Sequence, residues 1–433
     1  MKDTTPSYNL KVIVRETGIK PDTLRAWERR YNLPVPDRTP GGHRLYSPRD
    51  LEIVKWLMAR EQEGMRISQA VQLFRDLVES GDEPLQEMVA PPPGTSFVPD
   101  TAVGDLAALR DAWVQASLRF DEDAAEQQVV HALARHAPEL VSLELLQKGV
   151  SEMGQLWYEG KATVQQEHFA SAMALRRVNA LLAAAPPPIR SQLVYLACPP
   201  GEEHAFPLLL LALLLRYRGW HATYLGANVP LEQLESALQA ARPALFVMAA
   251  QTLPAAATTL EMARFLQERE VPLAYGGFIY SRLPQLQERM PGFFLGDGLP
   301  EAAARIAEIL MSEPEMPAGT PLADPYRATL ACFERDHRLL AGRVWQIMRS
   351  QDMPERHLRM ANEHLGRGIR AALAFGDINL VDHEIGWVRQ LLDNHEIPAE
   401  ALGGYLQVYH QVAQDLLGDD CRPILDWLAA KTT

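Results

Sequence analysis

Three groups of residues in this 433-residue chain have types and spacings that could do chemistry. Near the start, Arg25, Arg29 and Arg30 recur along KPDTLRAWERRY, a run whose other side, Leu24, Trp27 and Tyr31, can pack inward. Arginines displayed this way suit phosphate oxygens. In the middle, Glu202 and His204 follow the apolar run QLVYLAC, and a carboxylate and imidazole just past a strand end lie where open α/β sheets bind ligands. Between them, Trp157 precedes the pair Glu167-His168 by ten residues. No nucleophile and base pair stands out, so an enzyme is not the expectation. His337, His357, His364, His383, His395 and His410 near the end show neither HxxxH nor HxxE spacing, so solvated or core histidines are expected there.

The chain is too long for one core, and proline clusters mark its joints. APPPGTSFVPD separates the basic start from a stretch with helical apolar spacing (Leu106, Leu109, Trp113; Val129, Val130, Leu133; Leu143, Leu146, Val150), which predicts a bundle of about four helices. After AAAPPPIR the period changes. QLVYLAC, ATYLG, ALFVMAA, PLAYGG and FFLGD read as five buried parallel strands with helices between them, a doubly wound, Rossmann-like sheet. MSEPEMPAGTPLADP then precedes a last helical block with Trp345, Trp387 and Trp427 expected in its core. The expected divisions are 1–80, a linker at 81–103, 104–185, 189–312 and 326–433, a multidomain α and α/β chain.

The net charge of −13 is unevenly spread: residues 1–66 hold 13 Lys/Arg against 9 Asp/Glu, a balance of +4, leaving −17 for the rest. Local field governs phosphate contact, so nucleic acid belongs to the first segment. Cys198, Cys332 and Cys421 lie far apart with no CxxC, which argues against a disulfide framework or zinc and fits a reducing cytoplasm. The polar start is unlike a signal peptide, and the apolar run at Phe206 to Leu215 is too short to span a bilayer.

NLKVIVRETGI followed by KPDTLRAWERRY resembles the first helix, turn and recognition helix of the MerR family of winged helix-turn-helix regulators, with Gly18 at the turn and Pro21 opening the second helix. PDRTPGGHRLYSPRD resembles that family's wing, Gly41-Gly42 making its tight turn. The resemblance implies Arg25, Arg29 and Arg30 at the major groove, and His43, Arg44 and Tyr46 on the wing, with Arg44 and Tyr46 approaching phosphates. It also implies double-stranded operator DNA as partner and a dimer or tetramer of the chain.

The order strand, ExH, strand, Thr turn, strand, GG resembles cobalamin-binding modules of the methionine-synthase type. That resemblance implies His204 as lower cobalt ligand, Glu202 on its other ring nitrogen, and Thr252, Gly276 and Gly277 around a buried nucleotide tail. Pro207 departs from it, standing where the family has Gly, and so alters contact with the tail. LWYEGKATVQQEHFASAMALRRVNALL resembles the W-x9-EH element of CarH/LitR-type light-responsive repressors, whose bundle caps the upper face of adenosylcobalamin. Trp157, Glu167 and His168 are then the cap, while Tyr158 stands where that family has a second imidazole. This resemblance implies a dark, adenosylcobalamin-loaded oligomer on operator DNA that light dissolves, most simply a repressor. Other readings remain open: a sensor of another ligand, a second chromophore such as a linear tetrapyrrole in the last block, or a corrinoid-dependent methyltransferase subunit.

Overall fold

The computed structural model describes residues 8–17, 19–38, 44–62, 67–79, 100–349, 355–394 and 400–432. They fall into two compact units, Met1–Thr95 and Ser96–Thr433.

In the first unit, β1 (Tyr8–Asn9) leads into α1 (Leu10–Thr17) and α2 (Pro21–Tyr31). Proline suits the first turn of α2, where no amide donor is needed, and Asn32 ends the helix in a left-handed conformation. β2 (Asp37–Arg38) and β3 (Arg44–Tyr46) form an antiparallel ribbon with β1, in the order β1-β3-β2. Gly18, Gly41, Gly42 and His43 lie outside the described residues. α3 (Pro48–Gln62) and α4 (Ile67–Glu79) close the unit around Ile13, Leu24, Trp27, Tyr46, Trp56, Leu57 and Phe74.

The second unit opens with α5 (Asp100–Leu118) and α6 (Glu122–Leu133). α7 (Pro138–Val141), a π-helical turn (Ser142–Gln147) and α8 (Lys148–Tyr158) then run end to end, and α9 (Val164–Ala184) completes the expected four-rod bundle. A capping box sharpens the start of α9: the Gln166 amide donates to Thr163 Oγ1, and the Thr163 amide donates to Gln166 Oε1.

Next come β4 (Leu193–Ala197), α10 (Phe206–Tyr217), β5 (His221–Gly226), α11 (Leu234–Ala240), β6 (Leu245–Ala249), α12 (Leu253–Gln267), β7 (Leu273–Gly276), α13 (Phe278–Arg282), β8 (Phe293–Phe294) and α14 (Leu299–Ser312). All five strands pair in parallel, in the order β5-β4-β6-β7-β8. The order in which strands are added therefore reverses between β4 and β6, which opens a crevice at their carboxyl ends.

Two helices of this layer bury more than one side. In α10 every residue from Leu208 to Leu215 is buried, because one side packs on the sheet and Phe206, Leu209, Leu210 and Leu213 join the bundle's core. α12 is treated alike on the opposite face of the sheet.

What covers α12 is the last block: α15 (Asp324–Met348), α16 (Glu355–Phe375), α17 (Val381–Asn394), α18 (Glu400–Leu416) and α19 (Arg422–Thr432). Its Ile369, Ala372 and Leu373 share one core with Phe246 and Met248 of the sheet. Trp427 is buried and donates its indole N–H to Asp382 at 2.8 Å, Trp345 is half-buried, and the Trp387 side chain lies outside the described residues. Cysteine spacing misled in one respect. Cys332 of α15 and Cys421, 89 residues apart in sequence, are disulfide-bonded with their Cα atoms 6.2 Å apart, since the fold brings together what no short motif announces. Among the described residues no helix is long and apolar enough to cross a membrane.

Because Leu210 is fully buried between α10 and the bundle, Leu210→Ala is expected to cost about 2–5 kcal/mol. Denaturant unfolding of the full chain checks this, and a loss below about 1 kcal/mol would show that the two layers are not packed as one.

Candidate functional site

The crevice between β4 and β6 is built around a buried carboxylate. Glu202 is 1% exposed, yet His204 beside it has a side chain 65% exposed. One carboxylate oxygen, Oε1, accepts from the His204 backbone N–H at 2.9 Å and lies 2.6 Å from His204 Nδ1. The other, Oε2, accepts the Gln251 backbone N–H at 2.7 Å, which ties the end of β4 to the end of β6.

Burial alone would push the Glu202 carboxyl up, but the hydrogen bonds from His204 and Gln251 outweigh it and hold it below its ordinary value. In return the hydrogen bond to Glu202 raises the His204 imidazole, outweighing the partial desolvation of its ring by the walls of the crevice. An ionised carboxylate at Nδ1 makes that nitrogen the N–H donor. Nε2 is left with its lone pair directed away from Glu202, the state of an imidazole prepared to bind a metal from one side. Among the described residues no cluster of three or more His, Cys, Asp or Glu could hold a metal ion. A metal held beside His204 would therefore have to bring most of its own ligands, with this imidazole supplying one nitrogen. Cys198, buried at the end of β4, is pushed up to about 12 by burial and the nearby Glu202 and Glu203 carboxylates, so it stays a neutral thiol.

The two turns beside this pair are locally determined. Thr252 caps α12, its hydroxyl accepting the Ala255 amide. Gly277 has φ +112°, and a Cβ there would sit 2.1 Å from the Ala250 carbonyl oxygen, so only glycine lets the ends of β6 and β7 approach. Gly276 differs, since a Cβ there meets only Leu295 at 3.8 Å. The Gln251 side chain adds a link by accepting the Phe278 amide at 3.2 Å. Pro207 falls in the first turn of α10, where it removes no needed donor, so the helix absorbs this departure without distortion.

From the bundle, Glu167 lies near enough to help raise the His204 imidazole. Its carboxylate accepts the Ser171 hydroxyl at 2.7 Å and lies 2.8 Å from His168 Nδ1, whose ring is 74% exposed. Trp157, half-buried at the end of α8, lines an open concavity of about 440 Å³ with Thr163 and Gln166. Trp157 stands near the end of α8 and Glu167 and His168 near the start of α9, across the short turn at 159–163.

In the first unit Arg25, Arg29 and Arg30 are exposed along α2, and His43 lies outside the described residues. Tyr46 requires a correction. Expected to approach a phosphate, it is fully buried and donates its hydroxyl to Glu28 Oε1 at 2.5 Å, while Arg44 Nε donates to Glu28 Oε2 at 2.7 Å. Burial, then the Glu28 hydrogen bond, raise the Tyr46 phenol far above its ordinary value. Tyr46 therefore braces the wing against α2. Residues 44 and 46, two apart on a strand, must share a face, and that alternation was the available sign that both turn toward α2. Glu28, hidden among arginines in WERRY, gave no separate signal.

Comparison with known proteins agrees with this division. Residues 8–77 match the MerR HTH family regulatory protein model, and residues 109–182 and 192–304 each match a B12 binding domain model. The chain is 34% identical over 274 residues to the HTH-type transcriptional repressor CarH of Myxococcus xanthus, covering 63% of this chain and 89% of that protein. With the repressor CarA of the same organism it shares 32% identity over 240 residues, 55% of this chain and 74% of the relative. A monomethylamine corrinoid protein of Methanosarcina barkeri superposes with a TM-score of 0.40 at 20% identity, covering 48% of this chain and 98% of that one. Both relatives carry the name of an HTH-type transcriptional repressor. The chain belongs to the MerR-type, B12-binding transcription regulators that include CarH and CarA.

Proposed function

We propose that this regulator senses light through adenosylcobalamin held between His204 and the bundle, and that it represses transcription in the dark as an oligomer on operator DNA. The observation that carries this reading is the Glu202-oriented imidazole at the reversal of the sheet, with Nε2 unengaged and a second helical layer opposite it.

Bound adenosylcobalamin supplies a cobalt–carbon bond that visible light breaks. The chain's own residues do the rest. His204 Nε2 would hold the cobalt, with Glu202 fixing the ring's tautomer and basicity, and Thr252, Gly276 and Gly277 would hold the nucleotide tail. Trp157, Glu167 and His168 would hold the group from the bundle, which ties the packing of the bundle to the state of the cofactor. The cofactor acts only through its differential affinity for the two arrangements. Arg25, Arg29 and Arg30 read the major groove, with His43 and Arg44 at the backbone.

Size-exclusion chromatography of the adenosylcobalamin-loaded protein is expected to show an oligomer in the dark and a smaller species after green light, with operator retention lost in parallel. His204→Ala should weaken corrinoid binding while leaving the DNA unit folded. A protein that stays colourless after reconstitution, or whose elution ignores light, would refute the reading.

The pH dependence has a definite sign. Proton and cobalt compete for Nε2, and Glu202 raises the His204 imidazole, so affinity falls as pH drops through a value above that of a free imidazole. Glu202→Gln removes the charge responsible. Titrations across pH are expected to show the midpoint moving to lower pH and the plateau affinity falling about 10–100-fold; an unmoved midpoint would separate Glu202 from the ligand role of His204.

A further inference from the structure

None of the three family matches extends past residue 304, so the block from Asp324 to Thr432 lies outside the matched domains. It holds two of the chain's three cysteines, and they are bonded to each other. Cys332 belongs to α15, whereas Cys421 ends the short helical turn Asp419–Cys421 that leads into α19. A bond across 89 residues closes a loop that contains all of α16, α17 and α18. It therefore restrains most of the block at one point.

The surroundings of the bond suit exchange. A regulator of transcription works beside DNA, in a compartment whose thiols keep cysteines reduced, and a disulfide formed there is usually transient. Cys332 is 3% and Cys421 0% exposed, yet a side chain in contact with the bond reaches solvent. Arg335, one turn along α15, donates from Nη2 to Cys332 Sγ at 3.7 Å, and its own side chain is 69% exposed. A guanidinium there favours the thiolate of Cys332 once the bond is open, and the thiolate is the form that attacks a peroxide. Cys198 is the contrast, a buried thiol pushed up to about 12, with both other cysteines bonded elsewhere.

The bond is also tied to the sheet layer. Two residues after Cys332, Glu334 accepts from Arg370 of α16 at 2.8 Å, and Arg370 pairs in turn with Glu261 of α12. Beneath these charges Ile369, Ala372 and Leu373 of α16 share one core with Leu260 and Ala263 of α12. What holds α15 therefore holds α16 on α12.

We propose that Cys332 and Cys421 are a redox switch, a dithiol closed to a disulfide by a peroxide and reopened by thiols, that sets how firmly the carboxy-terminal block grips α12. In closing, the Cys332 thiolate takes one oxygen from hydrogen peroxide and becomes a sulfenic acid, releasing hydroxide; the Cys421 thiol then attacks that sulfur, and water leaves. Two thiols and one peroxide thus give one disulfide and two waters. Opening returns two electrons from a small dithiol by exchange through a mixed disulfide. The switch needs neither corrinoid nor light, so its test is separate from theirs.

The full chain without cofactor is reduced with dithiothreitol, cleared of reductant and treated with hydrogen peroxide. Thiol titration in denaturant should count three thiols before peroxide and one after, with peptide mapping joining Cys332 to Cys421, and dithiothreitol should restore all three. Amide hydrogen exchange is expected to run about tenfold faster in α16 and α12 of the dithiol form than of the disulfide form. Cys332→Ala should exchange like the dithiol with or without peroxide, and Arg335→Gln should slow closing about tenfold while leaving the closed form's exchange unchanged. Three thiols remaining after peroxide would overturn the proposal. So would a bond that dithiothreitol opens only in denaturant, the mark of a permanent staple, or equal exchange in the two wild-type forms.

Discussion

The arrangement around the site depends on one buried carboxylate. An ionised group inside a protein must be compensated by donors, and Glu202 has three directed at it, two from His204 and one from the Gln251 backbone. Those donors sit on different sides of the reversal in the sheet. The same bonds that keep Glu202 charged therefore fix the ring of His204 and the spacing of β4 and β6. Loosening any one of them disturbs the imidazole's tautomer, its basicity and its position together.

Two helices start from this point on opposite faces of the sheet, each beginning within a few residues of the Glu202 network. α10 follows His204 and carries the bundle on its outer side, whereas α12 follows Thr252 and carries the carboxy-terminal block. Each is buried on more than one side. Close-packed interiors transmit small displacements instead of absorbing them, so a shift at either turn is passed to an outer layer. This gives a single small site leverage over two helical domains.

Much of this was legible in the residues. Runs such as ALFVMAA, bounded by polar turns, are buried strands because both sheet faces are covered, and all five such runs correspond to strands in the parallel sheet. Glu202 and His204 could be paired because the contact is local, two residues apart. Contacts made across long separations left no comparable trace: the Cys332–Cys421 bond and the Glu28 brace on Tyr46 both depend on tertiary packing. The carboxy-terminal block was misleading for a related reason. Its helices show ordinary amphipathic spacing, and nothing local reveals that their partner is α12 instead of another helix of the block. Position within an element also matters for Pro207, which departs from the glycine pattern yet sits in the first turn of α10, where the helix accepts it.

Charge supplies the last link between site and DNA. A balance of +4 over residues 1–66 is modest, and the remaining −17 repels the same phosphates that the arginines of α2 attract. One copy of such a chain gains little from counterion release and loses part of it to its own acidic body. Joining copies changes this sharply, because a second head binds from an effective concentration set by its tether, and affinity can rise by about 10²–10⁴ without any new contact. A weakly basic head on an acidic body is thus a poor binder alone and a good one in company. In a protein of this charge distribution, the joining of copies would alter occupancy of DNA more steeply than any adjustment of α2 itself.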